Sequence, residues 1–256
     1  MIEVRDLRCQ RGERQVLRGV SVDIADGEFL AVIGPNGAGK TTFLKCLLRL
    51  VPDWTGEVLL DGESLRQLTR RQLARRLAYV PQVPRSDTPY TVREFVLMGR
   101  FACHSPLSAP GLSDEKAARR AMEQAGVVEL ADRSLATLSG GERQKAYIAA
   151  ALAQEAPVLL LDEPSSQLDP RHRHEVGQLL RRFQAESGIT IVLVSHDLNE
   201  ASLRADRILA LRDGSIASLG TPQDIMTEAK LADVFGTPFR LVHHPDSGRP
   251  VALPED

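Results

Sequence analysis

Gly34-Pro35-Asn36-Gly37-Ala38-Gly39-Lys40-Thr41 fits G-x-x-x-x-G-K-S/T in full, between the apolar run Phe29 to Ile33 and the leucine-spaced segment Thr41 to Leu50. That is the strand, loop and helix context this loop requires. Glycines let backbone amides close around a phosphate; the helix start adds roughly half a positive charge, and Lys40 adds a mobile full one. Asn36, Gly37, Ala38, Gly39, Lys40, Thr41 and Thr42 are therefore the candidate phosphate contacts, and the Thr41 hydroxyl is a candidate ligand for Mg²⁺.

On the N-terminal side, Val20-Ser21-Val22-Asp23-Ile24 alternates, and Gly12 and Asp26-Gly27 mark turns, which predicts an antiparallel flank. A second flank is predicted where Gly56 to Leu60 precedes Asp61-Gly62, with Leu77 to Val80 as a further short strand before Pro81. From Thr91 to Ala153 the periodicity is helical throughout. After Pro157 two short buried runs, Val158 to Leu161 and Ile189 to Val194, bracket a helical segment from His172 to Glu186, as in a parallel βαβ unit. Asp206 to Leu211 and Ser215 to Leu219 flank Arg212-Asp213-Gly214 as a closing hairpin, and the tail carries short helices around Gln223 and Lys230. The expected organisation is an α/β core over residues 1–82 and 156–225, a helical insertion over 83–155 and a tail over 226–256.

Composition narrows the partners. A chain of 256 residues can bury one large core, or a main domain with a smaller subdomain. Its net charge of −2 provides no overall field for nucleic acid, and 43% hydrophobic with 26% charged residues is ordinary globular usage. Cys9, Cys46 and Cys103 show neither metal-ligand spacing nor a disulfide framework; they suit a reducing cytoplasm as packing residues. The longest apolar runs fall far short of the roughly 20 residues a spanning helix needs. Met1-Ile2-Glu3-Val4 does not open a signal peptide, so any membrane role is expected to be borrowed from another chain.

Val158-Leu159-Leu160-Leu161-Asp162-Glu163-Pro164 places two acids directly after four apolar residues, where a parallel strand would deliver them to the ligand edge of a sheet. Asp162 there can hold Mg²⁺, and Glu163 can orient or deprotonate an attacking water. Leu138-Ser139-Gly140-Gly141-Glu142-Arg143-Gln144 has two readings. S-x-x-E is a capping box that needs no ligand; the same helix start, with two glycines and open amides, suits a terminal phosphate approached from outside.

Together, the phosphate loop, VLLLDEP and LSGGERQ resemble the Walker A, Walker B and signature motifs of ABC ATPases, and the resemblance covers essentially the whole chain. It implies a P-loop NTPase (RecA-like) α/β core with an antiparallel β flank and a helical subdomain insertion. The implied activity is ATP hydrolysis with Mg²⁺. In this family Ser139, Gly140, Gly141 and Glu142 would meet ATP held mainly by a second copy, so the catalytic unit would be a homodimer with two ATPs sandwiched head to tail. Gln82 matches the Q-loop glutamine, a contact for Mg²⁺ or water; His196 matches the switch histidine; and Asp169, in Ser166-Gln167-Leu168-Asp169, matches the D-loop. The family usually has an aromatic residue stacking on adenine where this chain has Arg11, whose guanidinium plane can also stack on a base.

For a chain without spans of its own, the resemblance implies two membrane permease subunits, an indirect link to a substrate-binding protein, and a peripheral place on the cytoplasmic face of the inner membrane. Thr91 to Arg100 and Leu231 to Gly236 look like the ATPases of iron-siderophore, haem and vitamin B12 importers. A solo exporter ATPase and a non-transport ABC ATPase are the alternatives; one copy of each motif argues against the second. Ser195-His196-Asp197 is no hydrolase triad, because consecutive residues cannot point into one relay. The basic run Arg66, Arg70, Arg71, Arg75 and Arg76 reads as a solvated helix face, while His172 with His174, and His243-His244, make poor metal pairs.

Overall fold

The alternating N-terminal stretch forms two long antiparallel strands, β1 (Ile2–Arg11) and β2 (Arg14–Ile24). Ile2, Val4, Leu7 and Cys9 are all buried, although Val4 and Leu7 stand three apart. The ladder shifts register between them and Asp6 takes φ +47°, so a bulge returns Leu7 to the inward face. β3 (Phe29–Ile33), α1 (Lys40–Leu47), β4 (Trp54–Leu60) and β5 (Glu63–Ser64) follow. β4 pairs antiparallel with β1 and β5, completing a sheet in the order β2-β1-β4-β5.

The computed structural model describes residues 1–82, 89–103 and 109–254; residues 83–88 and 104–108 of the expected insertion lie outside them. The chain falls into two units, residues 1–68 with 190–256, and residues 69–189. In the second unit the order is α2 (Arg70–Ala74), β6 (Leu77–Val80), α3 (Val92–Met98), α4 (Leu112–Ala125), α5 (Gly140–Ala153), β7 (Val158–Asp162) and α6 (Pro170–Ser187). β6 runs parallel to β7, with Leu77 opposite Val158 and Val80 opposite Leu161. This corrects the placement of Leu77 to Val80 beside the second flank. Leu77, Ala78 and Val80 are buried, so both faces of β6 are covered, and four residues are too few to display that difference in a sequence.

The helices of this unit pack through small residues: Ala117, Ala118, Ala121 and Ala125 on α4 and Ala146, Ala149 and Ala153 on α5 are all buried. Arg100, 8% exposed, ties them together. Its Nε donates to Asp114 (3.1 Å), and its guanidinium also donates to the Ala153 carbonyl (2.7 Å) and to Glu155 (2.6 Å). Removing one partner of a buried pair leaves an uncompensated charge, so Arg100→Ala is expected to lower unfolding stability by roughly 3–5 kcal/mol in denaturant titrations. Arg119→Ala, breaking the exposed pair with Glu123, is expected to change it by less than about 0.5 kcal/mol.

The basic run is not simply a solvated face. Arg66 stacks 4.1 Å from the Trp54 ring centre, while Arg71 and Arg75 both donate to the Ala102 carbonyl, at 3.1 and 2.8 Å. Their apolar stems and planar forks anchor backbone about thirty residues further along the chain.

The chain re-enters the first unit as β8 (Thr190–Val194), α7 (Leu198–Arg204), β9 (Arg207–Arg212), β10 (Ser215–Gly220), α8 (Pro222–Ile225) and α9 (Glu228–Phe235). β3 lies parallel between β8 and β9, and β10 folds back antiparallel on β9 as the predicted closing hairpin. Every residue of β3 and β8 is buried, the continuous apolar pattern of strands covered on both faces. A further hairpin, β11 (Phe239–His243) with β12 (Pro250–Pro254), was not foreseen. Asn199 on α7 clamps it, donating to the Ala252 carbonyl (3.1 Å) and accepting from the Ala252 amide (2.8 Å). Cys9 and Cys46 are buried free thiols, and burial raises the Cys46 pKa, which keeps it unreactive. Among the described residues, no helix is long and apolar enough to cross a membrane.

Candidate functional site

β3 ends at Ile33 and α1 begins at Lys40, so residues 34–39 form the loop between them. Gly39 caps α1 at φ +102°, and a Cβ there would lie 2.8 Å from a Leu17 methyl and 2.9 Å from the Val16 carbonyl. β2 therefore braces the loop where only glycine fits. Lys40 is 5% exposed, and its ammonium donates to the carbonyls of Gly34 (2.7 Å) and Pro35 (3.1 Å). The cation is thereby folded over the loop, at the positive end of a helix with no acidic residue in its first turn. Thr41 is half-buried and Thr42 buried on that turn.

The end of β8 belongs to the same unit. Ser195 donates its amide to the Val32 carbonyl (3.1 Å) and its hydroxyl to buried Glu200 (2.9 Å). Asp197 caps α7, accepting from the amides of Asn199 and Glu200 at 3.0 Å each. His196 is thus an exposed side chain between two fixed neighbours. The Ser195 hydroxyl is given to Glu200 and the Asp197 carboxylate to the start of α7.

In the second unit, β7 delivers Asp162 at its last position, 2% exposed, and the Tyr79 hydroxyl of β6 donates to it at 3.4 Å. Burial, helped by the Asp162 charge, pushes the Tyr79 hydroxyl up to about 12, so it remains a donor. Glu163 leaves the strand at φ +48°, a left-handed conformation that costs a non-glycine residue about 1–3 kcal/mol and concentrates at functional sites. That turn brings its carboxylate to the Gln82 side-chain amide, which donates at 2.6 Å. Asp169 caps α6, accepting from the His172 amide at 2.9 Å, and its other oxygen stands 2.7 Å from His172 Nδ1.

Ser139 opens α5 as a full capping box. Its hydroxyl accepts from the Glu142 amide (3.3 Å), and its own amide donates to the Glu142 carboxylate (2.9 Å). The Ser139 backbone bond, with the hydroxyl, holds the Glu142 carboxylate below the usual range. Ser139 and Gly140 are exposed and Gly141 is buried. The plain capping reading is therefore realised in the geometry, and the open amide end it creates is the feature that suits an anion.

Arg11 is exposed at the end of β1, paired in register with Arg14 across the turn. Sequence reading missed Arg14, whose guanidinium lies 3.6 Å from where a Cβ on Gly37 would sit. Only the hairpin register, which sends Arg14 back toward the loop, could have shown it. Tyr79 was missed likewise, because nothing in Leu77 to Val80 marks its partner 83 residues away.

A family profile described as ABC transporter matches residues 17–166. The ferric enterobactin transport ATP-binding protein FepC of Escherichia coli is 40% identical over 244 residues, covering 95% of this chain and 90% of its own length. The hemin import ATP-binding protein HmuV of Pseudomonas fluorescens is 40% identical over 258 residues, covering 99% of each. Among solved structures, a chain of an inward-facing metal-chelate type ABC transporter matches with a TM-score of 0.87 at 28% identity, covering 100% of this chain and 97% of that one. A bacterial ABC transporter cassette in a dimeric structure matches with a TM-score of 0.75 at 29% identity, covering 86% and 98%.

Proposed function

The chain belongs to the ABC transporter family of ATP-binding subunits, and from that membership we propose that it powers uptake of an iron chelate, a ferric siderophore or haem, through permease subunits made by other chains. The observation that carries the import reading is the 40% identity, over 95% and 99% of this chain, to ATP-binding proteins of ferric enterobactin transport and hemin import. ATP hydrolysis is the reaction, and its conformational cycle is the product.

The amides of Gly37 to Thr42 and the Lys40 ammonium hold the substrate's phosphates. Thr41, Gln82 and Asp162 offer the hard oxygen donors that suit Mg²⁺, which would neutralise phosphate charge and fix its geometry when bound. Glu163, hydrogen-bonded by Gln82, accepts the proton of the attacking water, and His196 contacts the γ-phosphate. Attack in line with the bridging oxygen breaks the γ-phosphorus–oxygen bond, leaving ADP and phosphate.

Ser139, Gly140, Gly141, Glu142 and Asp169 complete the site of a second copy, and two-fold symmetry makes both sites at once. Loss of the bridging phosphate reopens the pair. The helices α3, α4 and α5 and the segment at Gln82 receive the cytoplasmic helices of two permeases, which themselves receive cargo from a substrate-binding protein. The chain then sits peripherally on the cytoplasmic face of the cell membrane.

Reconstituting the chain with its copurifying permeases and assaying ferric siderophores, haem and cobalamin tests this directly. ATP-dependent uptake of an iron chelate is the expected result; ATP-driven efflux, or purification without any membrane partner, would overturn it. With Arg11 in place of an aromatic residue, base selectivity is expected to be loose, with hydrolysis efficiencies for ATP and GTP within about tenfold. A hundredfold difference would contradict that reading.

A further inference from the structure

His172 occupies the first turn of α6, and one ring joins two segments far apart in sequence. Its Nδ1 lies 2.7 Å from the Asp169 carboxylate, whose other oxygen accepts the His172 amide at 2.9 Å. The same ring lies against Gly141. A Cβ built on Gly141 would stand 2.4 Å from His172 Cδ2, 2.6 Å from Cγ and 3.0 Å from Nε2. Gly141 is buried because the imidazole occupies the space a side chain would take. The His172 side chain is 30% exposed, and its charge, when present, adds to the effects holding the Glu142 carboxylate down.

We infer that His172 is a positioning residue for the trans half of the site: by bracing Gly141 against Asp169, it fixes the start of α5 in the orientation that one chain presents to the ATP of another. Asp169 orients the imidazole, the imidazole's flat face packs on the second glycine of the signature, and the exposed amide end at Ser139 and Gly140 inherits that rigidity. Gly141 has to be glycine for the ring to approach, and position 172 has to be planar with a polar edge toward Asp169. The inference rests on the composite-site reading and makes His172 matter only in the chain that donates the signature.

Mixed dimers separate the two chains. One carries Lys40→Ala and can donate only its signature; the other has the parent sequence, so the single complete site pairs its phosphate loop with the first chain's signature. Adding His172→Ala to the signature donor is expected to lower kcat about tenfold with the KM for ATP within about twofold, because ATP is held by the other chain. The same change in the loop donor is expected to cost at least fivefold less. His172→Gln, which keeps an N–H for Asp169, is expected to recover kcat to within about threefold. Equal losses in both placements, or a loss confined to KM, would overturn the inference and leave a packing role. Should the parent mixed dimer itself show no turnover, the composite site fails, a different result from failure of His172 within a working site. Thermal melting of each homodimeric variant, with His172→Gln as the milder one, excludes unfolding as the cause of a loss.

Discussion

Glu163→Gln is expected to lower steady-state ATP turnover by at least about a hundredfold while nucleotide affinity stays within about threefold. General-base catalysis is worth 10²–10⁴-fold, and glutamine keeps the size and the hydrogen bond while losing the ability to take a proton. The geometry favours this site for the base. Glu163 is turned out of β7 at φ +48° and is held by the Gln82 amide at 2.6 Å, so a glutamine can occupy the same place by accepting through its own carbonyl oxygen. Asp162, buried and bonded to Tyr79, has a different environment and a different part. Phosphate release at saturating ATP, alongside equilibrium binding of a fluorescent ATP analogue, checks the split. A loss below tenfold would move the base elsewhere; parallel loss of binding would mean that Glu163 holds substrate instead.

Ser139→Arg is expected to abolish hydrolysis, to less than about one hundredth of the parent, while single-chain nucleotide binding survives. Loss of an N-cap alone costs about 0.5–2 kcal/mol, too little to unfold a domain of this size. The larger effect is steric: a guanidinium stem at an exposed helix start occupies the face offered to the second copy. Because the phosphate loop lies in a different part of the chain, ATP binding to one chain has no reason to change. Isothermal titration on dilute protein, with turnover measured on the same preparation, separates the two. Equal loss of binding and turnover would place Ser139 in its own chain's nucleotide site and count against a shared one.

What could be read from residues alone follows from how strongly local chemistry marks each element. The phosphate loop announces itself because glycines, lysine and threonine are fixed by the geometry of a strand entering a helix, and β3 and α1 flank it as expected. β7 ends at Asp162 for a similar reason: four buried residues followed by acids leave little choice of where the strand stops. The capping box at Ser139 was equally legible. Elements set by long-range pairing were not. Leu77 to Val80 joins β7 rather than the antiparallel flank, since a four-residue strand carries too little pattern to name its partner. The β11–β12 hairpin depends on Asn199 and Arg249, side chains whose targets are backbone groups of segments 44 to 53 residues distant. Arg14 near Gly37 and His172 against Gly141 are tertiary juxtapositions with no periodicity behind them.

Catalysis by this chain requires that two copies share each ATP. The direct measurement is sedimentation velocity of the Glu163→Gln variant with and without MgATP, at protein concentrations around ten micromolar. Slow hydrolysis holds the bridging phosphate in place, so a shared site predicts a monomer without nucleotide and a dimer with it, reverting when Ser139→Arg is added. A variant that binds ATP yet sediments as a monomer under both conditions would contradict the shared site.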